Sequence, residues 1–160
     1  MIAADTGPLV ALAKINQLTI LSHLFGDIFV PPAVRRELLA KIGREADYLD
    51  EAFSKIITVA PSPAIPTAVE VAISLLDKGE QEAIALAYER QLVLLIDERL
   101  GRAAARHLNL AVTGTAGVLL QAKQQGLITA VSPLLQEARQ KGYWLSEEFL
   151  TLVAKMAEEE

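Results

Sequence analysis

The sequence contains no cysteine and only two histidines among its 160 residues. Without thiols the chain can form neither a disulfide framework nor a thiolate metal site. His23 and His107 are too few for a zinc site built on imidazoles. These absences exclude disulfide-stapled domains and disfavour zinc chemistry, so a metal site in this chain would have to use oxygen ligands.

Long apolar runs are also absent, and none approaches the roughly 18 residues that a helix needs to cross a bilayer. The N-terminal segment places Asp5 and Lys14 within an apolar pattern and lacks the basic start of a secretory signal. We therefore expect a cytoplasmic protein with no membrane contact. Apolar residues nevertheless make up 52% of the chain, and the mean hydropathy is +0.32. This surplus predicts a protein interface, most simply that of a homodimer.

Positive charge is in short supply, because 15 Lys and Arg residues face 20 Asp and Glu residues, for a net charge of −5. This balance disfavours a general nucleic-acid coat protein, whose affinity comes from neutralising phosphates with Lys and Arg. It does not exclude a nuclease, since acids gathered around a metal ion would account for part of the deficit. Residues Glu158 to Glu160 add three acids in a tail that we expect to be frayed.

Short apolar segments alternate with helical patterns along the chain. Strands are predicted at about residues 2–4, 27–30, 56–59, 92–96 and 110–112, and helical patterns fill most of the intervals, ending in a helix over about 146–157. Such alternation implies crossover connections, so we predict a three-layer α/β/α fold with a central, mainly parallel sheet of four or five strands. We find no internal repeat and no convincing linker, and expect residues 1–160 to form one domain.

Four acids occupy positions where an α/β fold places functional groups. Asp5 and Asp97 follow predicted strands directly, and ligands of open parallel sheets bind outside the carboxyl ends of the strands. Glu37 and Glu80 lie in predicted helices that follow other segments of the sheet. The four are far apart in sequence, so only the fold can bring them together.

Helix geometry favours Glu80 over Glu82 as the functional acid. Glu80 precedes Ile84 by four residues and shares its buried side of the helix, with Asp77-x-x-Glu80 predicted to cap the start. Glu82 lies about 200° around the helix from Glu80 and is predicted to face solvent. A similar capping signature, Thr67-x-x-Glu70, predicts the start of the preceding helix.

Carboxylates that share a pocket repel one another unless a cation is present. A hard divalent ion with oxygen ligands, Mg²⁺ or Mn²⁺, is the natural solution. Such an ion polarises a phosphoryl oxygen, lowers the pKa of a bound water and orients an in-line attack, without any His, Cys or Ser nucleophile.

At these residues the sequence resembles the PIN-domain superfamily, over roughly residues 2–145. It looks closest to a prokaryotic PIN-like branch related to VapC-type toxins. The matching segments are Asp5-Thr6, Pro31-x-x-Val34-x-x-Glu37, Gly79-Glu80-x-x-Ala83-Ile84-Ala85-x-Ala87, Leu94-Leu95-Ile96-Asp97, Gly114-Thr115-Ala116-Gly117-Val118-Leu119, Ala122-Lys123 and Gly126-Leu127-Ile128.

The resemblance implies a PIN-like α/β/α domain in which Asp5, Glu37, Glu80 and Asp97 bind one or two Mg²⁺ or Mn²⁺ ions, with Thr6 assisting through its hydroxyl. The implied reaction is hydrolysis of RNA phosphodiester bonds, and VapC-type members form homodimers that a small antitoxin protein inhibits. Two features depart from the family pattern: Glu80 replaces the more usual Asp, and no Thr or Ser immediately precedes Asp97.

Each candidate also has a purely structural interpretation. Asp5 and Asp97 are suited to capping the helices that follow them, and Glu37 is spaced to pair with Lys41. On the helix after Asp97, three arginines share one face and are candidates for contacts with RNA phosphates, or for an ordinary solvated face: Arg99, Arg102 and Arg106. Packing of the last helix, and not a platform for stacking bases, is the prediction for Trp144, Phe149, Leu150 and Val153.

Two functions therefore stay open. One is a metal-dependent ribonuclease, the toxin of a toxin–antitoxin pair. The alternative is a PIN-fold module that binds nucleic acid or protein with little or no catalysis. A phosphorelay receiver is disfavoured because no acidic pair follows the first strand, and a dinucleotide enzyme because that strand lacks a Gly-x-Gly-x-x-Gly turn.

Overall fold

A computed structural model describes residues 1–160 as five strands and ten helices. The strands are β1 (Ile2–Ala4), β2 (Ile28–Val30), β3 (Ile57–Val59), β4 (Val93–Leu95) and β5 (Val112–Thr113). The helices are α1 (Thr6–Lys14), α2 (Thr19–Phe25), α3 (Pro32–Leu39), α4 (Arg44–Lys55), α5 (Thr67–Ile73), α6 (Lys78–Arg90), α7 (Arg99–His107), α8 (Thr115–Gln124), α9 (Ser132–Gln140) and α10 (Glu147–Met156).

The strands form one sheet in the order β3-β2-β1-β4-β5, and every neighbouring pair is parallel. This confirms the predicted three-layer α/β/α class, with five strands and no antiparallel member. In the central pair, Ala4 of β1 lies opposite Leu95 of β4, so these two strands end at the same level. The residues that follow them therefore emerge side by side.

The centre of the sheet is fully buried. Ile2, Ala3 and Ala4 of β1 have no solvent exposure, and α6 packs directly against β1 and β4. The small alanine side chains of β1 allow this helix to approach closely, which places the start of α6 near the carboxyl end of the sheet.

Helix capping differs from expectation at one of the two predicted signatures. Asp77 caps α6 as predicted, since its side chain accepts a hydrogen bond from the backbone N–H of Glu80 at 2.8 Å. The capping signature predicted at Thr67 is wrong, because Pro66 holds the capping position and Thr67 is already the first helical residue. A proline at that position fixes an extended backbone and ends the preceding loop without a side-chain bond.

The C-terminal tail is anchored at Glu159, contrary to the expected fraying. The Glu159 carboxylate accepts hydrogen bonds at 2.8 Å from the backbone N–H groups of Val131 and Ser132, at the start of α9, and from Lys123. A helix start offers unpaired N–H groups, and an acid reaching them from elsewhere in the chain is stabilised there. No helix in the structure is both long and apolar enough to span a membrane.

Candidate functional site

Asp5 and Asp97 emerge from the two central strands. Asp5 directly follows β1, and its backbone N–H donates to the carbonyl of Leu95 at 2.9 Å. Its side chain is only 6% exposed although it makes no capping hydrogen bond to α1. The helix-capping interpretation of Asp5 is therefore wrong, and a buried carboxylate remains at the end of β1.

Asp97 is held by donors from distant parts of the chain. It accepts hydrogen bonds from the backbone N–H of Thr115 at 2.7 Å, from the Thr115 hydroxyl at 2.6 Å, and from the hydroxyl of Tyr143. The helix that follows it, α7, is capped by Glu98, which accepts from the N–H of Gly101 at 2.7 Å. Asp97 thus faces the start of α8 rather than capping α7.

Glu37 contacts Thr6 rather than Lys41. The Thr6 hydroxyl donates to the Glu37 carboxylate at 2.6 Å, so the residue after Asp5 holds the acid of α3 in place. On its other side Glu37 lies against Gly79, where an added methyl group would overlap Oε1 and lie 2.9 Å from the carboxyl carbon. The glycine that precedes Glu80 therefore makes room for Glu37.

Glu80 is buried on the first turn of α6. It is 9% exposed, and its Oε2 atom is buried without a hydrogen-bond partner. Burial raises the pKa of Glu80 to about 9, and Asp77, Glu98 and Asp5 add to the rise. An acid left without a partner in this way is costly to ionise, so its environment favours the proton or a cation.

The electrostatics of Asp5 link the separate acids into one site. Burial, helped by the negative charges of Asp77, Glu37 and Asp97, raises the pKa of Asp5 to about 7, although the backbone N–H of Thr6 lowers it in part. The fold therefore brings Asp5 within electrostatic reach of the other predicted acids. Asp77 and Glu98 join the same acidic region. They escaped the sequence analysis because both look like ordinary helix caps, which they also are.

Glu82 is buried, so the prediction from the helical period that it faces solvent is wrong. It is 5% exposed, accepts a hydrogen bond from the backbone N–H of Ala33 at 3.1 Å near the start of α3, and lies 3.7 Å from Lys78. The prediction assumed that only one side of α6 is covered. Helix α3 covers another side, and the start of α3 supplies the donor that satisfies this acid.

The arginines of α7 divide into two groups. Arg102 is half-buried, and its Nη1 atom donates to the carbonyl of Ile96 at 2.9 Å, beside Asp97. Arg99 and Arg106 are exposed. Arg102 is thus committed to the end of β4, while the other two are free to meet solvent or a ligand.

The donor set suits a hard divalent cation. Its acids offer only oxygen atoms, Glu80 contributes a buried oxygen without a partner, and no Lys or Arg forms an ion pair with Asp5, Glu37, Glu80 or Asp97. As they stand, the side chains form no group of three or more close enough to ligate one ion. The chemistry of the site fits Mg²⁺ or Mn²⁺, and the positions of its side chains differ from those of a closed ligand shell.

Comparison with known families decides the identity of the fold. The sequence profile of the PIN domain matches residues 1–159. The chain belongs to the PIN-domain family. No curated protein matches it. Membership confirms the predicted resemblance and gives this PIN domain a nuclease-type fold associated with nucleic acid, whereas its relation to the VapC-type branch stays a prediction.

Two residues that hold the site escaped prediction for different reasons. Thr115 belongs to the family-matching segment that follows β5, and its position at the start of a helix indicates a hydrogen-bond donor. Tyr143 has no local signal, because it reaches Asp97 from the loop between α9 and α10. In this PIN domain, the acids at the sheet edge are visible in the sequence and the residues that orient them are mostly not.

Proposed function

We propose that this PIN domain is a metal-dependent ribonuclease that hydrolyses phosphodiester bonds of RNA. The observation that carries the proposal is the pair of buried acids Asp5 and Glu80, which come from distant segments, have raised pKa values and have no cationic partner. Natural chains rarely bury carboxylates in this way unless a ligand neutralises them.

Asp5, Glu37, Glu80 and Asp97 would hold one or two Mg²⁺ or Mn²⁺ ions, closing on them by side-chain rotation. Bound there, the metal would supply a polarised phosphoryl oxygen and a bound water of lowered pKa. The chain supplies orientation. Thr6 hydrogen-bonds Glu37, and Thr115 and Tyr143 hydrogen-bond Asp97, so these contacts orient the two acids.

The direct test is cleavage of single-stranded RNA with and without Mn²⁺, using Asp97→Asn and the matched control Asp50→Asn. Asp50 is an exposed residue of α4, remote from the acids in the sequence. We expect Asp97→Asn to abolish cleavage while the protein stays folded, because it removes a like charge from a crowded site. Equal activity in Asp97→Asn and the unmodified protein would refute the mechanism.

The biological role that we propose is the toxin of a toxin–antitoxin pair, acting as a cytoplasmic homodimer that a small antitoxin protein inhibits. Supporting the interface are large apolar side chains left in water, such as Ile42, 86% exposed, and Leu75, 93% exposed. Expression should arrest growth, and a small neighbouring gene for a DNA-binding protein should relieve the arrest. Light scattering at several concentrations tests the homodimer.

A catalytically silent PIN-fold module is the second candidate. The observation that favours it is the saturation of Asp97 by three hydrogen bonds, which leaves this acid less available to an ion than Asp5 or Glu80. Calorimetric titration with Mn²⁺ separates the two functions. The nuclease should bind Mn²⁺ and lose that binding in Asp5→Asn, whereas the silent module should show no heat of binding at its acidic end.

A further inference from the structure

The only tryptophan of the chain lies at the surface beside the acids. Trp144 is 83% exposed, whereas Leu150 and Val153 of α10 are buried as predicted. Its predicted packing against the last helix is therefore wrong, because Trp144 precedes α10 and stands in the loop after α9. A large aromatic side chain held in water beside the candidate site is available to contact a ligand.

The position of Trp144 relative to Asp97 is fixed by its neighbour in sequence. The hydroxyl of Tyr143 donates to the Asp97 carboxylate, and consecutive Cα atoms are about 3.8 Å apart. One hydrogen bond thus ties the loop that carries Trp144 to the acidic site. The backbone of the loop at Trp144 therefore cannot move far from Asp97 without breaking that bond.

Trp144 lines a cavity of about 500 Å³ together with three acids, Asp5, Asp97 and Glu98. Asp5 and Asp97 contribute acidic walls, and Trp144 and Phe149 contribute aromatic ones, with Phe149 39% exposed at the start of α10. No Lys, Arg or His lines this cavity. It therefore offers no cation to a phosphate, while its aromatic faces suit a flat uncharged ring.

We propose that Trp144, supported by Phe149, stacks an unpaired nucleobase of the RNA adjacent to the phosphate that is cut. This inference rests on the proposed function and adds to it a residue that binds the base next to the cleaved phosphate. Every base has a π-face, so stacking of this kind tolerates sequence. It discriminates against a duplex, whose bases are already stacked on one another. The site thus selects unpaired strands with little preference among bases.

The single tryptophan provides a probe that does not depend on catalysis. Trp144 emission is followed while a short oligoadenylate is added to the full chain in EDTA, which prevents metal-dependent cleavage. An abasic oligomer of the same length and charge is the control for phosphate repulsion. We expect a saturable loss of emission with the oligoadenylate alone. Equal responses to the two oligomers, or none to either, would overturn the stacking site.

Variants test whether the aromatic face is what binds. Binding of a fluorescently labelled oligoadenylate is measured by anisotropy in Trp144→Phe, Trp144→Leu and the control Val71→Ala, an exposed apolar residue of α5 that is distant from Trp144 in sequence. Trp144→Leu should weaken binding about tenfold, since stacking on one aromatic side chain has effects of that order, while the other two change little. Equal affinity in Trp144→Leu and Trp144→Phe would refute stacking.

The same assays distinguish failure of this inference from failure of the proposed function. If Asp97→Asn abolishes cleavage but Trp144 emission does not respond to oligoadenylate, the nuclease stands and the stacking site falls. If emission responds and no variant or metal yields cleavage, the stacking site stands on a silent module. A second copy of the chain covering Trp144 would instead make emission depend on protein concentration and not on oligoadenylate, which overturns the inference.

Discussion

Acids with little exposure occur in this chain in two kinds of surroundings. Glu82 and Glu159 each reach the start of a helix from elsewhere in the chain and accept hydrogen bonds from its backbone N–H groups. Asp5 and Glu80 lie at the carboxyl edge of the sheet, where Asp5 meets only the N–H of Thr6 next to it and one carboxyl oxygen of Glu80 has no partner. The first pair is satisfied by the fold itself, and the second is not.

The pKa values follow this division. Burial opposes ionisation of Glu159, but hydrogen bonds from Lys123 and from the N–H groups of Val131 and Ser132 outweigh it and lower its pKa to about 2. Burial raises the pKa of Asp5 to about 7, with neighbouring acids adding to the rise. A satisfied acid stabilises the fold, whereas an unsatisfied one destabilises it. The presence of unsatisfied acids such as Asp5 is therefore best explained by a ligand that binds to them.

The largest effect is expected from a substitution of an unsatisfied acid. Asp5→Asn should lower RNA cleavage by about a hundredfold or more, the scale of losing one group that stabilises charge in a transition state. It should also raise the melting temperature of the metal-free protein near pH 8, because it removes an unfavourable charge. The measurements are initial rates with Mn²⁺ and thermal unfolding in EDTA.

Glu159→Gln is the matched control for Asp5→Asn. It should lower the melting temperature and leave the cleavage rate unchanged, since it loses charge-assisted hydrogen bonds worth roughly 1.5–3 kcal/mol each at most. Loss of stability in both variants would mean that the comparison between the two kinds of acid is mistaken.

A smaller effect is expected when the room for Glu37 is filled. Gly79→Ala adds a methyl group that overlaps the Glu37 carboxylate, the flexible end of its side chain, so the fold should tolerate it while the acid moves. Groups that orient metal ligands typically contribute about 10- to 100-fold, and we expect a loss of about tenfold in cleavage and in Mn²⁺ affinity. Unchanged Mn²⁺ affinity would place Glu37 outside the metal site.

The sequence was sufficient for the fold because its signals are local. Apolar runs ending at Asp5 and Asp97, and helical patterns between them, specify strands and crossovers without knowledge of distant contacts. The resemblance to the PIN-domain superfamily then indicated which acids belong to the candidate site. A prediction is wrong where a side chain contacts a distant segment. Helical periodicity predicts that Glu82 faces solvent, but helix α3 covers it.

The supporting groups of the site lay largely beyond sequence reasoning for the same reason. Tyr143 is 46 residues from the Asp97 that it contacts, and no periodic pattern relates the two. The sequence predicts that Trp144 packs with the last helix, but the side chain stands in water before that helix begins. Contacts between side chains that are distant in sequence can be found only in the structure, whereas helices and strands can be predicted from local patterns.

The pH dependence of stability provides the finest test of the comparison. Asp5, with a usual pKa of 3.8 and a folded value of about 7, keeps its proton in the folded chain where the unfolded chain has lost it. The free energy of unfolding of the metal-free protein should therefore fall as pH rises through that interval, by up to about 4 kcal/mol, because a tenfold change in proton affinity corresponds to about 1.4 kcal/mol. Glu159 acts in the opposite sense, because its contribution is present above its usual value of 4.5 and is lost as pH falls towards about 2. In urea unfolding at a series of pH values, Asp5→Asn should reduce the slope of the neutral limb, leaving the part due to Glu80, whose pKa is raised to about 9, and Glu159→Gln should flatten only the acid limb. If either substitution flattens both limbs, the two acids do not titrate independently and the division between them fails.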